Sequence, residues 1–115
     1  VASLDGSAAC RTPDVSEMPY RPPLLGAGEP GEKPCTVRLA GPTCLAGDVI
    51  GDYSFDAVPA VGDLLVFGDM AIYTTYNTNT FNAMTLPAIY VRKPDGTTRK
   101  IVTFGYTDFK CRLGK

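Results

Sequence analysis

Residues Cys35–Asp48 read "CTVRLAGPTCLAGD", and the change of character at Gly41 decides how the chain is taken. The first half, "CTVRLAG" (Cys35–Gly41), alternates apolar and polar side chains, the period of a half-buried strand. The second half, "GPTCLAGD" (Gly41–Asp48), is a turn of Gly, Pro and Ala that carries a cysteine and, four positions on, a carboxylate. Such a small-residue turn lets another backbone or a ligand come close. A cysteine there can serve as acid or nucleophile, and Asp48 can receive a cationic amine. On residue chemistry alone, a packed cysteine beside a loop-capping aspartate is the plainer reading.

Outward from this stretch the chain continues in short β-rich runs. "DLLVFG" (Asp63–Gly68) is apolar enough for a fully buried strand. "AIYVRKPDGTTRKIVTF" (Ala88–Phe104) predicts a hairpin, two β-rich runs flanking Pro94-Asp95-Gly96, where glycine supplies the positive φ. Val1–Leu4 reads as a short strand ending at Asp5-Gly6, and "PDVSEMP" (Pro13–Pro19) as one helical turn between prolines. "TDFKCRL" near the end reads as a short helix. "RPPLLGAGEPGEKP" (Arg21–Pro34) is a loop, because its prolines and glycines sustain neither ladder nor long helix. The sum is a mainly β domain, sandwich or barrel, with short helices and irregular connections.

Composition narrows the chemistry. The 115 residues suit one domain. A net charge of −1 with mixed signs gives no electrostatic case for nucleic acid or an anionic membrane, and no apolar run approaches spanning length. With no histidine in the chain, Ser-His-Asp and Cys-His nucleophile systems and His-containing zinc sites are excluded. Cys10, Cys35, Cys44 and Cys111 lack C-x-x-C spacing, so no metal site is expected. Two disulfides, in any of three pairings, remain open. "GAGEPG" (Gly26–Gly31) matches G-x-G-x-x-G, but Pro22 and Pro23 precede it and Pro30 and Pro34 interrupt it. A dinucleotide site needs a strand before and a helix after. "DMAIYTTYNTNTFNAM" (Asp69–Met84) reads either as a polar edge loop with Tyr73 and Phe81 packed inward, or as a pocket mouth whose tyrosine meets a phosphate.

"GPTC" followed by Asp48, then "VGDLLVF", "MAIYT" and "FN", resembles the C-terminal β-domain of the fold-type III (alanine racemase-like), pyridoxal-phosphate-dependent decarboxylases. "CLAGDVIGDYSFD", "SAACRTPDVSEMPYRP" and "YTDFKCRLG" are most similar to the carboxynorspermidine (carboxyspermidine) branch of that family. The resemblance runs almost from end to end, making residues 1–115 a single C-terminal β-domain. It implies an N-terminal (β/α)8 barrel carrying the cofactor lysine, a head-to-tail homodimer with shared sites, a cytoplasmic location and a polyamine-type substrate. Carried over residue by residue, Cys44 would enter the partner's site and steer protonation at Cα. Tyr73 would offer its hydroxyl to the cofactor phosphate. Asp48 and Asp5 would face ammonium groups, Phe81 would line the pocket, and Arg21 resembles an arginine that reads a substrate carboxylate.

Leu45 stands where ornithine and diaminopimelate enzymes carry an acid, which favours the carboxynorspermidine branch. Ile72 and Arg11 stand where that branch has histidines, leaving open a non-catalytic regulatory or binding module, as well as a related diaminopimelate- or ornithine-type domain. Lys33, Lys93, Lys100, Lys110 and Lys115 all lie outside a barrel-lysine context, and "EPGE" (Glu29–Glu32) only mimics a barrel phosphate segment. The expectation is a chain that opens partway through an enzyme, binds no cofactor and catalyses nothing by itself. A domain normally packed on a barrel should also bare an apolar patch and tend to self-associate.

Overall fold

In strand β2 (Cys35–Ala40), Val37 and Leu39 turn inward while Thr36 and Arg38 face solvent, the alternation the sequence predicts. The computed structural model describes residues 1–18 and 20–114. Its elements are β1 (Ala2–Ser3), α1 (Ala8–Arg11), α2 (Pro13–Glu17), β2, β3 (Val49–Phe55), α3 (Ile72–Asn77), a 3-10 turn at Phe81–Ala83, β4 (Ile89–Arg92), β5 (Thr98–Val102) and α4 (Tyr106–Arg112). Strands β1, β2 and β3 form one sheet in that order, β1 parallel and β3 antiparallel to β2. Strands β4 and β5 form a separate hairpin. The mainly β expectation with short helices holds; among the described residues the sheets stay open.

The core gathers where β2 meets β3. Leu39, fully buried, packs with Val37, Ile50, Tyr53, Phe55, Leu24 and Ala8, and Leu65 and Phe67 close it from the side. Tyr53 and Phe67 meet edge to face, ring centroids 5.9 Å apart. Burial pushes the Tyr53 phenol up to about 12, against the lowering pull of Arg21, and its hydroxyl donates to Pro22 O at 2.7 Å. Strand β3 escapes the sequence pattern because Gly51, Asp52 and Ser54 interrupt its apolar run. Gly51 makes room for Arg21, whose guanidinium lies 5.1 Å from the Tyr53 ring centre. Asp52 forms a two-pronged pair with its cross-strand partner Arg38, at 2.7 and 2.9 Å. Buried Ser54 joins the proline-rich loop by exchanging backbone hydrogen bonds with Gly28 at 2.9 and 3.1 Å.

The hairpin follows its turn chemistry. Gly96 has φ +86° and donates to Lys93 O, while Thr97 O accepts from Lys93 N. The "EPGE" segment closes on itself, Glu32 N donating to Glu29 O around Pro30 and Gly31, and no helix follows "GAGEPG". The helical turn expected within Pro13–Pro19 is α2, and the expected end helix is α4. Pro19 and Lys115 lie outside the described residues.

One expectation is corrected. Asp63–Gly68 is not a fully buried strand: Leu65 and Phe67 face the core, but Leu64 is 92% exposed and Val66 is exposed as well. The segment has one bridge, Leu24 to Phe67. Burial on both faces needs a second layer over the outer one, which the described residues do not supply. Leu64 instead shares a shallow hollow with the exposed Leu25 and Val58, so the domain does bare an apolar face.

Helix α1 depends on one carboxylate. Asp48 is 3% exposed. Its Oδ1 accepts from the backbone N–H groups of Ala8 (2.6 Å) and Ala9 (3.3 Å). Its Oδ2 accepts from Ser7 Oγ (3.0 Å), Thr43 N (3.1 Å) and Thr43 Oγ1 (2.6 Å). Desolvation works against ionisation here, but the Thr43, Ser7 and Ala9 donors outweigh it and hold the carboxyl below its ordinary range. In this chain the Asp48 carboxylate, expected from the resemblance to face ammonium groups, directs both oxygens to donors inside the fold. Gly41 makes the room: a Cβ there would overlap the Asp48 carboxylate.

Asp48→Asn should cost on the order of 2–4 kcal/mol in urea unfolding at neutral pH, because the new NH₂ group faces donors. Asp48 has a folded-state pKa below its unfolded one, so its contribution is complete above the unfolded value and is lost as acid protonates the folded group. Native and variant stabilities should thus converge below about pH 4; parallel acid limbs would contradict this. Gly41→Ala should cost roughly 2 kcal/mol, because the held carboxylate cannot swing aside.

Candidate functional site

The Gly41–Asp48 turn is closed at its base, where Gly41 N donates to Asp48 O at 2.8 Å and Asp48 N to Leu45 O at 3.0 Å. With the base tied, Cys44 stands exposed at the tip. All four cysteines are unpaired, which removes the disulfide-stapled alternative. The Cys44 sulfur has one side-chain neighbour among its hydrogen-bond partners, Asn82, with Nδ2 at 3.3 Å and Oδ1 at 3.7 Å.

Asn82 arrives from the segment after α3. That segment is fastened to α1: Asn79 N donates to Cys10 O (2.9 Å), Asn79 Nδ2 to Ala9 O (2.7 Å), and the buried Cys10 thiol to Phe81 O (3.3 Å). Phe81, 43% exposed, thus sits one residue from the side chain that touches Cys44. The structure sets Phe81 next in sequence to Asn82, the residue whose side chain meets the Cys44 sulfur. It adds Asn82 and Asn79, to which the sequence pattern assigns no role; their signal is the asparagine-rich run "NTNTFN", asparagine being, after glycine, among the residues that most readily adopt left-handed backbone.

Tyr73 lies on α3, neither in a loop nor packed inward. Its residue is 74% exposed. The helix is six residues of β-branched and aromatic character, poor helix formers, and it is held by Thr74 Oγ1 donating to Asp14 Oδ2 at 2.8 Å. Tyr20 donates to the same oxygen at 2.9 Å, and burial, then Asp14, raises its phenol above the ordinary value. Asp14, Tyr20, Asp69, Ile72 and Tyr73 line a hollow of about 400 Å³.

The remaining candidates stand apart. Arg21 is committed elsewhere: it pairs with Glu29, donates to Asp52 O at 2.7 Å and lines a different hollow with Glu32 and Tyr53. In this fold its guanidinium braces β3 through Asp52 O and the Tyr53 ring. Asp5 is exposed in a third hollow with Leu4, Ile50 and Leu64, its carbonyl taken by Arg11 Nη1 at 2.7 Å. Among the described residues no cluster of three His, Cys, Asp or Glu side chains could hold a metal ion, and no helix is long and apolar enough to cross a membrane.

Comparison with known proteins places this geometry. A family model described as pyridoxal-dependent decarboxylase, C-terminal sheet domain, matches residues 4–71. The chain is 47% identical over 113 residues to the carboxyaminopropylagmatine decarboxylase of Synechocystis sp., covering 98% of this chain and 29% of that protein. It is 34% identical to the carboxynorspermidine/carboxyspermidine decarboxylase of Campylobacter jejuni, covering 97% of this chain and 32% of the relative. The crystal structure of carboxynorspermidine decarboxylase complexed with norspermidine, from Campylobacter jejuni, matches with a TM-score of 0.90 at 34% identity, over 96% of this chain and 33% of that one. The chain spans about a third of the length of these relatives. With the matched family covering more than half of its residues, the chain belongs to the pyridoxal-dependent decarboxylases, as their C-terminal sheet domain.

Proposed function

We propose that this chain is the C-terminal domain of a pyridoxal-phosphate-dependent carboxy-lyase acting on a carboxylated polyamine, in the carboxynorspermidine/carboxyspermidine manner, within polyamine biosynthesis. The observation that carries this reading is the free, exposed Cys44 thiol on a turn pinned from below, in a chain matching a norspermidine-bound decarboxylase over nearly its whole length. The 47% identical relative is named for an agmatine-derived substrate, so a guanidino-ended polyamine stands beside the amine-ended ones.

Bound pyridoxal phosphate supplies the electron sink that lets Cα release its carboxylate as CO₂. This chain's residues fit the cofactor as half of a pocket. Tyr73 offers an exposed hydroxyl suited to a phosphate oxygen, and Cys44 holds a proton at Sγ for the carbon that has lost its carboxylate. Phe81, beside Asn82 in sequence, would line the pocket near the thiol. Asp5 remains the exposed carboxylate free to meet a substrate cation. The cofactor lysine belongs to the upstream barrel: Lys33 is spent on Gly26 O and Asp56 at 2.9 Å each, while Lys93, Lys100 and Lys110 are exposed on the hairpin and α4. The bare face at Leu25, Val58, Leu64 and Val66 suits packing against the rest of the protomer. A homodimer with Cys44 reaching the partner's site, and a cytoplasmic location, belong to the same proposal.

The test is a chimera in which this chain replaces the corresponding third of the Campylobacter jejuni enzyme. CO₂ release should be seen from carboxynorspermidine, carboxyspermidine or carboxyaminopropylagmatine, and Cys44→Ala should lower kcat about a hundredfold. A folded, cofactor-loaded chimera that turns over none of the three would refute the reading. Inhibition of a co-expressed relative without turnover would point to the regulatory module instead. The 115-residue chain alone, given pyridoxal phosphate, should develop no borohydride-reducible absorbance band; gaining one would place the lysine here.

A further inference from the structure

We propose that Asn82 is a positioning residue that sets the Cys44 thiol, an inference resting on the proposed role of Cys44. Its amide presents both faces of hydrogen bonding to one sulfur: Nδ2–H donates to Sγ at 3.3 Å, and Oδ1, at 3.7 Å, accepts from S–H. One neutral side chain thereby serves the sulfur with or without its proton. A group that must hand over a proton and recover it needs such a neighbour. A charged neighbour would favour one state over the other.

The backbone supports the same assignment. Asn82 has φ 54° and ψ 28°, and Ala83 follows with φ 58°. Left-handed backbone is disfavoured for residues bearing a Cβ, and it persists where the surroundings over-determine it. Here they do. Phe81 N donates to Asn79 Oδ1 at 2.9 Å, Asn79 is bound to Ala9 and Cys10, and Cys10 returns a bond to Phe81 O. Helix α1 is bound through Ala8 and Ala9 to Asp48, and Asp48 to Thr43, the residue before Cys44. The chain of contacts closes into a ring, Cys44–Asn82–Phe81–Asn79–α1–Asp48–Thr43–Cys44. Neither partner of the sulfur–amide pair can drift without breaking a bond elsewhere.

The test uses the full-length chimera. Asn82→Gly keeps the backbone and deletes the amide; it should lower kcat about tenfold with KM within roughly twofold. In a Cys44→Ala background the same change should cost nothing further, because a residue acting through the sulfur has nothing left to position. Asn82→Asp keeps the acceptor for S–H and removes the N–H donor. It should slow iodoacetamide labelling of Cys44 roughly fivefold at about pH 8, with the exposed Cys111 as unchanged control. Equal kcat losses for Asn82→Gly in both backgrounds, or unaltered Cys44 labelling in Asn82→Asp, would overturn the proposal. Should Cys44→Ala alone leave kcat intact, the role of Cys44 fails, and the labelling result by itself decides whether Asn82 holds the sulfur.

Discussion

A carboxylate taken almost wholly out of water must be met by donors from the protein, or the fold pays its desolvation unreturned. Asp48 meets this requirement with donors from Ser7, Ala8, Ala9 and Thr43. Two of those partners are free N–H groups at the start of α1, a helix of only four residues that could not nucleate alone. The bond therefore does two things at once. It stabilises the first helix from a point forty residues on in sequence, and it anchors the Cys44 turn to that helix.

From that anchor the remaining order follows by contact. Helix α1 packs on α2, α2 holds α3 through Asp14 and Thr74, and the segment after α3 returns to α1 through Asn79 and Phe81. Three helices of four to six residues, each too short to persist alone, are thus tied into one unit beside the β2–β3 sheet. Their common product is an exposed cysteine on a turn tied at its base, with an exposed tyrosine on α3. Such groups suit a chain that contributes part of a pocket and leaves the rest to other segments. The exposed apolar face around Leu64 agrees with that division, since a domain forming about a third of its relatives has an inner surface to cover.

The chain's own residues determined much of this directly. Alternation in "CTVRLAG" specified β2, and the Pro-Asp-Gly turn specified the hairpin, because both signals are local and tertiary contact only completes them. The motif residues around Cys44 and Tyr73 pointed to the family without any coordinates, which the relatives bear out. Tertiary structure alone decided the partners of the polar groups. Asp48 is surrounded by donors from Ser7, Ala8, Ala9 and Thr43. Arg21 is clamped by Glu29, Asp52 and Tyr53. Asn82 looks like loop filler and touches the thiol. The physical reason is common to all three: a polar side chain's function depends on which donors and acceptors surround it, and those come from segments distant in sequence, whereas the period of a strand or the φ of a turn is written in neighbours.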